Sequence, residues 1–154
     1  MITWQTIDDV LIWMESNPIS EEEIKKMQKS QPWLLAYAFS DTFDILTDEE
    51  RDLFLFLFVV SYKSFQKTYG ELSTAISEDD IGDCEEKLWG SWEELDSKSF
   101  NVHVDVFYDT LKESDLIDFL ADSLITENQE DIMAGRELMF VGLCTCIEVM
   151  GRDL

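Results

Sequence analysis

The chain has 154 residues and carries 34 Asp and Glu against 11 Lys and Arg, a formal net charge of −23, yet it is 45% hydrophobic and 12% aromatic. Acidic disordered segments couple high charge to few large apolar side chains, so this composition excludes an acidic tail and fits one folded domain over 1–154. A field of this sign repels phosphate, nucleic acid and anionic lipid, which argues against direct nucleic-acid binding or membrane-surface binding.

In chain order the punctuation is helical. A capping box, in which a Ser or Thr side chain accepts from the N3 amide and the N3 side chain reaches back, is spelled by Ser20 with Glu23, Thr47 with Glu50, Ser77 with Asp80, and Thr126 with Gln129. The spacing of Trp4, Ile7, Leu11 and Met14 predicts a first helix from Thr3 to Ser16, stopped at Asn17-Pro18. A short helix over Glu21 to Lys29 precedes Pro32, which suits the first turn of a third helix running toward Leu46 with Trp33, Leu34, Tyr37 and Phe39. After Thr47, the acids Asp48, Glu49, Glu50 and Asp52 stand where the helix macrodipole favours negative charge. The run Leu53 to Val60 that follows is apolar on every face, and periodicity alone does not separate a buried helix from a buried strand. The preceding cap and the continuation through Tyr62, Phe65 and Tyr69 to Gly70 select a helix, the central one of the fold.

From Ser77 the residues Ile81, Cys84, Leu88, Trp92 and Leu95 keep helical spacing. Phe100, Val104, Phe107 and Leu111 do so too, although Val102 to Val106 alternates like a strand. Ser114 is expected to cap a helix that turns Leu116, Phe119, Leu120 and Leu124 inward, and a last helix is expected from Asn128 to Met150. On it Gly135 and Gly142, seven apart, mark a face that admits a close neighbour. The sum is an all-α fold of about seven or eight helices around a central hydrophobic helix over 53–69.

Motifs for chemistry are sparse. His103 is the only histidine, which excludes a two-histidine metal site within one chain, and its neighbours Asp105 and Asp109 stand beside no activated nucleophile. Cys144 and Cys146 point to different faces of one helix, and with Cys84 they read as small buried hydrophobes in a reducing cytoplasm rather than as zinc ligands. No calcium loop, phosphate loop or dinucleotide fingerprint is present, so no cofactor and no metal ligand is assigned. Trp89 and Trp92, next to Leu88 and Leu95, read as core. No leader pattern opens the chain, and the longest apolar run, Leu53 to Val60, is too short to cross a bilayer.

Charge distribution is the more telling feature. Residues 1–77 have a net charge of −7 and residues 78–154 one of −16. Asp79, Asp83 and Glu86 share one helical face, and Asp115, Asp118 and Asp122 share another. These six are the candidate partner-binding residues of a non-enzymatic protein that docks on a basic protein, in the manner of an inhibitor, immunity protein or antitoxin. The alternative is a helical scaffold or regulatory subunit that binds through an apolar groove, with acidity serving solubility; a carboxylate enzyme using a divalent ion is third. Whichever holds, self-repulsion at −23 is screened by salt, so the melting temperature is expected to rise from low to moderate NaCl in a thermal-denaturation series; a flat or falling curve would contradict it.

Overall fold

The computed structural model describes residues 1–125 and 135–152. In chain order its elements are α1 (Trp4–Ser16), α2 (Glu21–Ser30), α3 (Pro32–Ala38), a 3-10 turn (Asp41–Phe43), α4 (Asp48–Tyr69), α5 (Glu78–Glu94), α6 (Phe100–Thr110), α7 (Ser114–Leu124) and α8 (Arg136–Gly151). The fold is all-α.

Local chemistry explains most of the boundaries. Ser20 and Ser77 accept from the amides of Glu23 (3.2 Å) and Asp80 (3.1 Å) and open α2 and α5. Thr47 completes both halves of its box: its hydroxyl accepts from the Glu50 amide at 3.2 Å, and Glu50 Oε1 accepts from the Thr47 amide at 2.9 Å. Gly70 closes α4 at φ 81°, a backbone conformation that favours glycine. The remaining box, Thr126 with Gln129, lies outside the described residues.

The apolar run of α4 is helical because it is covered on almost every side. Leu57 through Tyr62 are all buried, with α1 and α8 as the main neighbours. α8 is sheathed even more completely: every residue from Met139 to Ile147 is buried, and α4, α5 and α7 pack on it. The core therefore has two central helices where the sequence singled out one. In both, a buried hydroxyl bonds the carbonyl one turn back, Ser61 to Leu57 at 2.9 Å and Thr145 to Val141 at 2.8 Å, so a polar side chain sits in apolar surroundings without an orphaned donor.

Three buried polar side chains hold the packing together. Glu50 uses Oε1 for its own cap and Oε2 to accept the Gly135 amide at 2.8 Å, which joins the start of α4 to the start of α8. Glu113 accepts the Ile2 amide at 2.7 Å and the Tyr69 hydroxyl at 2.5 Å, which ties the chain before α1 and the end of α4 to the α6–α7 turn. Gln31, at the α2–α3 junction, donates to the Thr74 carbonyl (3.0 Å) and accepts from the Ile76 amide (2.8 Å), fixing the connection into α5. Losing one partner of such a bond strands a buried polar group, at a cost of roughly 1–3 kcal/mol.

Several expectations need correction. α3 ends at Ala38, not near Leu46, because Ser40, Asp41 and Thr42 favour turns and the 3-10 turn delivers Phe43 onto Phe54, ring centroids 4.3 Å apart. Arg51 holds that turn through the Phe43 carbonyl (3.1 Å) and Asp44 (3.0 Å). The buried stripe of α1 is Ile7, Val10 and Met14; Leu11 is half-buried and Trp4 is 38% exposed, on the flank of the stripe. Ser114 is the first residue of α7, and the cap position belongs to Glu113, whose carboxylate is engaged by Ile2 and Tyr69. Of the long last helix expected from Asn128, the described part is α8.

Gly135 and Gly142 do admit close neighbours. A Cβ at Gly135 would overlap the Glu50 carboxylate, and one at Gly142 would lie 2.7 Å from Cε1 of Phe43. By contrast, Gly82 and Gly90 sit on the exposed side of α5, where an added Cβ meets nothing within 4 Å. Chemical denaturation is thus expected to show Gly82→Ala and Gly90→Ala each stabilising by about 0.5–1 kcal/mol. Gly142→Ala is expected to destabilise by about 1–3 kcal/mol, because Phe43 is wedged between Phe54 and Tyr37 and has no room to retreat.

Candidate functional site

The acidic faces follow from how α5 and α7 bury their other sides. On α5, Ile81, Cys84, Leu88 and Trp92 turn inward, which leaves Asp79, Asp83 and Glu86 on the opposite, exposed ridge. On α7, Leu116, Ile117, Leu120, Ala121 and Leu124 are buried, and Asp115, Asp118 and Asp122 line the outer face. Each triad is brought together as its spacing predicts. The two triads remain on separate helices, which share α8 as a neighbour and are not themselves a principal packed pair.

These carboxylates lack protein counterions. Among the described residues the ion pairs are Arg51 with Asp44 at 3.0 Å and Lys63 with Glu23 at 2.7 Å, and neither touches a triad. On α7 the crowding is felt: partial burial, then the charges of Asp122 and Asp115, push the Asp118 carboxyl above the usual carboxylate range. An aromatic pair adjoins this face. Trp4 of α1 meets Phe119 of α7 edge-on, centroids 6.1 Å apart, and part of the indole faces solvent. Acid beside exposed aromatic surface can receive a Lys or Arg both as an ion pair and over a ring.

Elsewhere the candidate chemistry is absorbed by the core. His103 is buried and stacked flat on Trp92, centroids 4.0 Å and planes 9° apart. Its Nε2 donates to the Ser97 carbonyl at 2.9 Å, so the proton sits on that nitrogen, and the ring makes no bond to Asp105 or Asp109. Trp92 belongs to an aromatic cluster with Phe100, Phe107 and Phe140, while Trp89 packs at its edge. Cys84, Cys144 and Cys146 are buried and unpaired. Burial raises all three thiols, that of Cys84 to about 11, so they remain protonated and unreactive at neutral pH. No group of three His, Cys, Asp or Glu among the described residues is placed to hold a metal ion, and no described helix is long and apolar enough to cross a membrane.

Compared with known proteins, the chain matches no family model, no curated protein and no solved structure.

Two features of this surface escaped the sequence. Spacing assigns Trp4 to the apolar stripe of α1, and its pairing with Phe119 across α1 and α7 has no local signal. The largely apolar groove of about 490 Å³ lined by Leu11, Met14, Glu15, Pro18 and Ile19 likewise needs Phe56 of α4, far away in the chain.

The raised carboxyl of Asp118 has a definite pH signature. A group whose folded-state pKa lies above its unfolded value penalises the native state when ionised, and the penalty fades as the pH falls through the folded pKa. Asp118→Asn is therefore expected to raise the melting temperature at pH 7, with the gain vanishing once the pH is below about 4, the ordinary carboxylate range. An equal gain at both pH values would locate the effect elsewhere.

Proposed function

We propose that the chain is a non-enzymatic interaction protein whose acidic surface docks on a basic protein in the cytoplasm, as an inhibitor, immunity protein or antitoxin does. The observation that carries this reading is the α7 face: Asp115, Asp118 and Asp122 stand together without an ion-pair partner among the described residues, beside the Trp4–Phe119 pair. Holding like charges one turn apart costs stability in the free protein, and a cationic partner relieves that cost on binding. Asp79, Asp83 and Glu86 on α5 extend the negative field and steer the approach of such a partner. Blocking a nucleic-acid-binding surface requires only that carboxylates stand where phosphates would. The protonated, unpaired thiols are compatible with a reducing compartment.

The groove at Leu11, Met14, Ile19 and Phe56 supports a second reading, a helical scaffold that binds through apolar surface. The two readings separate cleanly by experiment. A basic partner recovered at low salt is expected to associate about tenfold or more slowly with the Asp115→Lys, Asp118→Lys, Asp122→Lys triple variant, with the difference shrinking at high salt. Reversal of Asp105 and Asp109 on α6 serves as the control. Binding that survives the triple reversal and is lost with Phe56→Ser assigns the scaffold reading instead.

A further inference from the structure

Five of the cations of this acidic molecule lie on two helices. Of 11 basic residues, Lys25, Lys26 and Lys29 lie on α2, and Lys63 and Lys67 lie on the last third of α4. A cavity of about 480 Å³ opens between those helices, with Lys26, Lys29 and Lys63 in its walls. Through the shared residues Lys63, Gln66 and Glu71 it continues into a second cavity of about 350 Å³, bounded by Trp13 and Asp9 of α1 and by Lys67. Lys63 is already engaged: its ammonium bonds Glu23 at 2.7 Å and lies 5.3 Å from the centroid of the Trp13 ring. Lys26, Lys29 and Lys67 make no ion pair among the described residues, although acids outnumber bases 34 to 11.

The ends of this groove differ in chemistry. At α2 the ammonium groups of Lys26 and Lys29 stand beside the Lys63–Glu23 pair, whereas the Trp13 end sets Lys67 and the carboxylate of Asp9 beside an indole that is 43% exposed, and Glu71 borders both. Glu71 is oriented by the Gln66 amide, which donates to it at 2.7 Å. A plain polycarboxylate would find lysines at both ends but leave the indole and the carboxylate acceptors of the second end unused. A ligand with a phosphate at one end and a planar ring bearing N–H donors at the other meets complementary groups at both.

We propose that the groove between α1, α2 and α4 binds a phosphate ester of a planar nitrogen heterocycle, a nucleoside monophosphate being the simplest case. Lys26 and Lys29 hold the phosphate, Trp13 packs on the ring, and Asp9 and Glu71 accept from its N–H groups. The overall charge of −23 does not prevent this, since the Debye length of about 8 Å at physiological salt leaves a small ligand sensing only the nearest charges. An extended polyanion samples the whole field and is repelled. The inference is independent of the acidic docking face, because it uses neither α5 nor α7.

Calorimetric titration of the full chain at constant ionic strength, with adenosine 5′-monophosphate, adenosine, inorganic phosphate and hexaglutamate as probes, tests it. The nucleotide is expected to bind more tightly than any of the other three. Lys26→Ala with Lys29→Ala is expected to weaken nucleotide binding by about fivefold per charge removed. Trp13→Ala should weaken the nucleotide and adenosine and leave phosphate unchanged, and Lys98→Ala, on the α5–α6 connection, should alter nothing. Thermal melts of each variant confirm that the fold is retained, and Trp13→Phe keeps the ring contact if the alanine variant does not fold. No heat with the nucleotide, nucleotide binding no tighter than adenosine, or indifference to the lysine changes would overturn the proposal. So would tighter binding of hexaglutamate, which would make the groove a site for an acidic peptide.

Discussion

The Glu50 carboxylate is the contact on which the arrangement of the core depends. One oxygen completes the cap of α4 and the other accepts the Gly135 amide, so the two most buried helices start from a common point. Helices that are apolar all round can slide and rotate against each other at little cost, since dispersion and the hydrophobic effect are non-directional. A buried polar side chain with two directed hydrogen bonds removes that freedom, because any slip leaves it without partners. At the other end of α4, Glu113 does the same through Ile2 and Tyr69. The glycines at 135 and 142 permit the closeness that these bonds require.

This division of labour explains how a chain of net charge −23 folds at all. Two glutamates are spent inside as fully bonded struts, and the aspartates and glutamates of α5 and α7 stand on outward faces, where water solvates them. Each of the two buried carboxylates is met by two hydrogen-bond donors. The surface is left polarised: carboxylate ridges that form no ion pair among the described residues on α5 and α7, and a lysine-lined groove between α2 and α4. Net charge alone describes neither.

Much of the fold was legible because helix signals are local. The box at Thr47, the serine cap at Ser77, Pro32 at the start of α3, Gly70 after α4 and the spacing of Ile81, Cys84, Leu88 and Trp92 each act within a few residues. The reading failed where a distant partner decided the outcome. The 3-10 turn after α3 delivers Phe43 onto Phe54, and the carboxylate of Glu113, at the start of α7, is turned to Ile2 and Tyr69 instead of capping the helix. Of the candidate site, the membership of each acidic triad was legible from spacing alone. Its exposed aromatic neighbour was not, since Trp4 and Phe119 are brought together by the packing of α1 on α7.

The sequence by itself determined that this chain is helical, where most helices begin and end, and which carboxylates share a face, because capping and helical periodicity act over one or two turns. Only the tertiary structure decided that α8 joins α4 as a second central helix, that Glu50, Glu113 and Gln31 are buried struts, and that four lysines border a common groove. Those properties depend on side chains separated by 40 to more than 100 residues, as in the Ile2–Glu113 and Gly135–Glu50 bonds. Their meeting is fixed by non-local packing, on which periodicity within one segment carries no information.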